Sequence, residues 1–136
     1  MLIPQVDPEY LLSFLSGLLN TPSPTGLAGP ALDYTERVIT DIPELSIKRT
    51  NKGALVATWL GERAEAPRAL TAHADTLGAM VKQIKSNGRL MMTKIGGFAW
   101  NTVEGEGCQV FASHGVTVRG SILLDTASVH IHGNKV

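Results

Sequence analysis

The sequence predicts an α/β fold, a helix-covered sheet followed by a small all-β, barrel-like unit. Three observations carry this. Two stretches near the N-terminus repeat their apolar residues at helical spacing. Three strand-like segments follow, one of them apolar on both faces, which suits a sheet covered by helices. After Asp75 the helical period disappears, glycines recur and the apolar runs become short. The boundary this implies lies near Leu77, giving units 1–77 and 78–136.

Asp7-Pro8 has the form of a helix cap with proline in the first turn. Leu11, Leu12, Phe14, Leu15, Leu18 and Leu19 then mark one apolar face, and core packing is the role expected for it. Thr21 to Gly26 carries two prolines and is a loop. A second helix is expected from Gly29-Pro30, with Ala31, Leu32, Thr35, Val38 and Ile39 facing inward and Pro43 closing it. Leu45 to Thr50 alternates like a half-exposed strand. Asn51-Lys52-Gly53 is a hairpin turn, Ala54 to Leu60 a more apolar strand, Gly61 to Pro67 a charged loop and Ala69 to His73 the next strand. Short strands are expected at 79–85, 89–94, 109–113 and 116–124, punctuated by Ser86-Asn87-Gly88 and Ser113-His114-Gly115.

Composition excludes some classes of function. The 12 Lys+Arg balance the 12 Asp+Glu, so no charge excess points to nucleic acid or an anionic membrane. No apolar run is long enough for a bilayer, and the first residues lack the basic and apolar regions of a signal peptide. The single cysteine, Cys108, leaves no intramolecular disulfide and suits a reducing, cytoplasmic setting.

The segment with the most chemistry is Leu70-Thr71-Ala72-His73-Ala74-Asp75-Thr76. On an extended chain, residues two apart share a face, so His73 and Asp75 lie side by side. A metal-binding histidine needs its second ring nitrogen held, commonly by a carboxylate, and Asp75 is placed to do that. A half-buried histidine paired with an acid at a strand end is the plainer reading of the same triplet.

The surrounding residues resemble the N-terminal part of the glutamyl/deblocking aminopeptidases, a metallopeptidase family that includes the tetrahedral TET enzymes and proteins once labelled endoglucanases. The resemblance rests on 20–26 (Asn-Thr-Pro-Ser-Pro-Thr-Gly), 51–57 (Asn-Lys-Gly-Ala-Leu-Val-Ala), 71–81 around His73, Ile95-Gly96-Gly97 and 115–122. It implies that His73 is a metal ligand and Asp75 the acid that supports it. It also implies two divalent metal ions, zinc or cobalt, a peptide substrate, a β-rich lid after the first ligand strand and a homo-oligomer. The family often has methionine and glutamate where this chain has Ala74 and Thr76. The family's bridging aspartate, its other ligands and its glutamate base lie beyond the lid. The expectation is therefore an aminopeptidase segment that is inactive alone, because one histidine does not hold a catalytic metal and no general base is present.

Other features carry less. His130-Ile131-His132 would place two imidazoles on one face of a strand, but no acid or thiol accompanies them, and solvated histidines are expected. His114 falls in a turn. Ser23 and Ser121 have no neighbouring base, and Cys108 has no activating partner. The glycine pairs at 96–97 and 105–107 do not open a helix, which argues against phosphate binding. Trp59 and Trp100 lack the basic cluster of a nucleobase platform. Two other readings stand beside the peptidase. One is a non-catalytic oligomerisation or binding module built on the β-rich half. The other is a glycoside hydrolase, for which no pair of flanking carboxylates can be named.

Overall fold

The computed structural model describes residues 5–63, 65–126 and 128–133. The chain divides into two units, Met1–Gly96 and Gly97–Val136. The first holds helices α1 (Pro8–Leu19) and α2 (Gly29–Ile39) and strands β1 (Leu45–Arg49), β2 (Leu55–Trp59), β3 (Gly78–Ile84) and β4 (Leu90–Ile95). The second holds β5 (Gly107–Phe111), β6 (Thr117–Ser121), a short helix α3 (Val129–His132) and two 3₁₀ turns. The fold is α/β with three separate two-stranded antiparallel sheets, β1-β2, β3-β4 and β5-β6.

The cap of α1 is the expected one. The Asp7 carboxylate accepts from the backbone N–H groups of Glu9 and Tyr10 at 3.0 and 3.1 Å, and Pro8 needs no N–H there. Phe14 packs its ring 5.6 Å from that of Tyr34 on α2, and the Tyr34 hydroxyl donates to the Phe14 carbonyl at 3.3 Å. This close crossing depends on Gly17, where a Cβ would run into the Tyr34 hydroxyl and ring. Across the seam Ala31 is fully buried, and Leu32, Thr35, Val38 and Ile39 are half-buried as expected.

The leucine face of α1 is a correction. Leu11, Leu12, Leu15 and Leu19 stay exposed, whereas the contact with α2 runs along the Phe14–Gly17 side, where Tyr34 lies.

Strands β1 and β2 pair in register from Leu45↔Trp59 to Arg49↔Leu55. Gly53 at φ +85° closes the turn between them, a conformation that glycine adopts without strain. Arg49 ties the hairpin to α2, its guanidinium 2.7 Å from Asp33 and 2.6 Å from Glu36. The Glu36 hydrogen bond, foremost, raises its pKa further above the ordinary value.

The expected strand at Ala69–His73 does not form. Residues 67–75 are irregular, Leu70 is 99% exposed, and among the described residues no strand offers this segment a ladder. An apolar run signals a strand only when a partner exists for its backbone. The helix-covered sheet is therefore reduced to the β1-β2 hairpin, with α2 tied to it through Arg49.

Beyond the site segment, β3 and β4 form a hairpin whose register shifts between Val81 and Gln83. Gly88 at φ +80° makes its turn. In the second unit β5 and β6 pair from Gly107↔Ser121 to Phe111↔Thr117, and Phe98 meets Trp100 edge-on at 5.3 Å. Neither hairpin closes into a barrel among the described residues. His130 and His132 lie on α3 rather than on a strand. Residues two apart on a helix point away from each other, so the pair does not present two imidazoles to one ion.

Candidate functional site

His73 and Asp75 come together as their spacing predicts, and a third group joins them. The imidazole Nδ1 of His73 lies 3.1 Å from both Oδ1 and the backbone carbonyl of Asp75. Both partners are acceptors when the carboxylate is ionised, so the proton of the neutral imidazole sits on Nδ1. That leaves Nε2 as the electron-pair donor, on a side chain 83% exposed. The histidine is thus paired with its acid but is not half-buried.

The other carboxylate oxygen is also engaged. The Thr25 hydroxyl donates to Asp75 Oδ2 at 2.6 Å, a short, charge-assisted bond. This bond first, and the imidazole after it, hold the Asp75 carboxyl below its ordinary pKa of 3.8. The signature is of an acid that remains ionised and oriented.

The loop after α1 does the positioning. Pro24 and Thr76 form an isolated parallel bridge. Thr76 N–H donates to the Ser23 carbonyl at 2.8 Å, and Thr25 N–H to the Thr76 carbonyl at 3.2 Å. Ser23, 3% exposed, donates its hydroxyl to the Ala74 carbonyl at 2.8 Å. Gly78 completes the fit, since a Cβ there would stand 2.7 Å from that of Pro24. Ser23 is therefore a strut and not a nucleophile. Its role, and that of Thr25, escaped the sequence reading. The only signal was the hydroxyl residues Ser23 and Thr25 in a loop stiffened by Pro22 and Pro24.

As a metal centre the donor set is partial. The free Nε2 and the braced Nδ1 of His73 have the chemistry of one ligand. Among the described residues no three His, Cys, Asp or Glu side chains gather where they could hold an ion.

The profile of the M42 glutamyl aminopeptidases matches residues 53–135, which include the His73–Asp75 pair. The chain belongs to the M42 glutamyl aminopeptidase family. It is similar to the Bacillus subtilis protein YhfE, named as a candidate aminopeptidase, with 41% identity over 121 residues, covering 89% of this chain and 35% of that protein. Its fold is also that of a TET aminopeptidase from a marine sediment thaumarchaeon, with a TM-score of 0.76 and 20% identity. That match covers 93% of this chain and 34% of the solved one. The chain thus spans about a third of the length of these two proteins. Among the described residues no helix is long and apolar enough to cross a membrane.

Proposed function

We propose that this chain supplies the N-terminal part of a metal-dependent aminopeptidase, in which His73 is a metal ligand and Asp75 its supporting acid. The observation that carries this is the braced imidazole, Nδ1 on Asp75 and Nε2 free, in a chain of the M42 family. In the intact site the substrate is a peptide, and the bond cleaved is the one after its N-terminal residue. A pair of divalent ions, zinc or cobalt, supplies an activated water and polarises the scissile carbonyl when bound. His73 contributes one donor to that pair. Asp75 keeps the imidazole neutral in the Nδ1–H form, oriented and more basic at Nε2.

Residues 1–77 are then the first segment of the catalytic α/β domain. Residues 78–136 are the β-rich, barrel-like lid, which also builds a cytoplasmic homo-oligomer. The chain alone is inactive in this reading, since it brings one ligand and no general base.

A chimera tests the reading. Residues 1–136 replace the matching third of the Bacillus subtilis relative, with folding checked by circular dichroism. The expected result is metal-dependent release of N-terminal residues from peptides, lost with His73→Ala, and no release by the 136-residue chain alone. A folded chimera whose activity survives His73→Ala removes the histidine from the site. Turnover by the chain alone overturns its inactivity.

A further inference from the structure

We propose that Thr25 is a positioning residue for His73: its hydroxyl fixes the Asp75 carboxylate, which in turn holds the imidazole with its proton on Nδ1 and its lone pair on Nε2. The relay is continuous on hydrogen-bond distances. Thr25 Oγ1 is 2.6 Å from Asp75 Oδ2, and Asp75 Oδ1 is 3.1 Å from His73 Nδ1.

Two features make Thr25 more than an incidental neighbour. The first is that its backbone is held against the same segment as its side chain. Thr25 N–H donates to the carbonyl of Thr76, and Pro24 bridges Thr76. Its hydroxyl therefore has little freedom to leave the carboxylate. The second is that Asp75 belongs to no strand or helix. An irregular backbone does not set a side-chain direction by itself, so the carboxylate needs an external partner on its far oxygen. The Thr25 hydroxyl is that partner. Without it the carboxylate is free to turn about its Cβ–Cγ bond, and Nδ1–H loses its charged acceptor, keeping only the neutral Asp75 backbone carbonyl at 3.1 Å. A histidine without such a partner favours its proton on Nε2, the nitrogen a ligand must keep free.

The ligand role served by this orientation rests on the proposed function, whereas the relay itself stands on this chain's own geometry. The test is therefore made without metal or substrate. Long-range ¹H–¹⁵N correlation spectra of the full chain read the tautomer of His73 near neutral pH. The wild type is expected to show the Nδ1–H form. Thr25→Val keeps the shape and removes the hydroxyl, and should move the tautomer ratio about tenfold towards Nε2–H. Thr25→Ser should restore the wild-type signal. Ser23→Ala removes the loop's other side-chain bond to the segment and should lower stability while leaving the tautomer in place. If Thr25→Val does not fold, Thr25→Ala read at the same signal decides.

An unchanged tautomer in a folded Thr25→Val or Thr25→Ala chain overturns the proposal. An equal shift in Ser23→Ala does so too, because the loop would then act only by packing. A Thr25-dependent tautomer together with an inactive chimera would leave the relay standing and count against the peptidase reading.

Discussion

At His73 one ring nitrogen is engaged by Asp75 and the other is free, so the side chain offers a single donor atom. One imidazole is a weak zinc site, since zinc in proteins takes three or four protein ligands. Titration calorimetry of this chain with zinc should therefore show no stoichiometric sub-micromolar site. A tight site lost with His73→Ala would mean that other residues of the chain complete it. Loss with His132→Ala instead would make α3 the site. The His-x-Asp pairing was legible because it is local, two residues apart on one segment. The Thr25–Asp75 bond was not, because its partners are 50 residues apart and meet only when the loop after α1 docks on 74–76. Sequence spacing carries no information on such a contact until the topology is known.

Among the elements, legibility followed the same division between local and distant causes. Helices α1 and α2, the Asp7 cap of α1 and the turns at Gly53 and Gly88 formed where proline, aspartate and glycine placed them. The inward face of α2 was readable because its partners, α1 and Arg49 of β1, are close in sequence. The strand at Ala69–His73 failed because its apolar pattern describes a burial that needs a ladder partner. The helix pair offers a direct test of packing at Gly17. Alanine there would gain about 1 kcal/mol in helix propensity. Overpacking against Tyr34 costs about 1–3 kcal/mol, and displacing the ring also breaks the Tyr34–Phe14 hydrogen bond. The cost is the larger effect, so Gly17→Ala should lower the chemical denaturation midpoint. Pairing it with Tyr34→Phe should recover little, because the ring carbons are in the way as well as the hydroxyl. A stabilised Gly17→Ala chain would show that the two helices separate easily and that the seam contributes little.

For the whole molecule the decisive quantity is apolar surface left without cover. Ala31 is the sole buried hydrophobic residue among those described, while Leu11, Leu12, Leu19, Trp59, Leu60 and Leu70 are each more than half exposed. Fully burying one such side chain contributes about 1.5–3 kcal/mol. Covering even three of them would thus offset much of the rotational and translational cost of association, put at about 4–15 kcal/mol. Backbone edges act in the same direction. Each sheet has only two strands, so every strand has one edge unpaired by another strand of the described chain. Two-stranded sheets are also marginal by themselves and need packing from elsewhere. Repulsion does not oppose contact, because the formal net charge is zero. The isolated chain is therefore expected to self-associate. Size-exclusion chromatography with light scattering should give a mass above 14.5 kDa that rises with protein concentration. Substituting the exposed leucines of α1 with glutamate should reduce that mass if the helix face is the contact. An unchanged mass in that variant would shift the contact to the strand edges. A stable monomer of the unsubstituted chain across a wide concentration range would mean that these apolar faces tolerate water, and the case for a surface awaiting cover would fall.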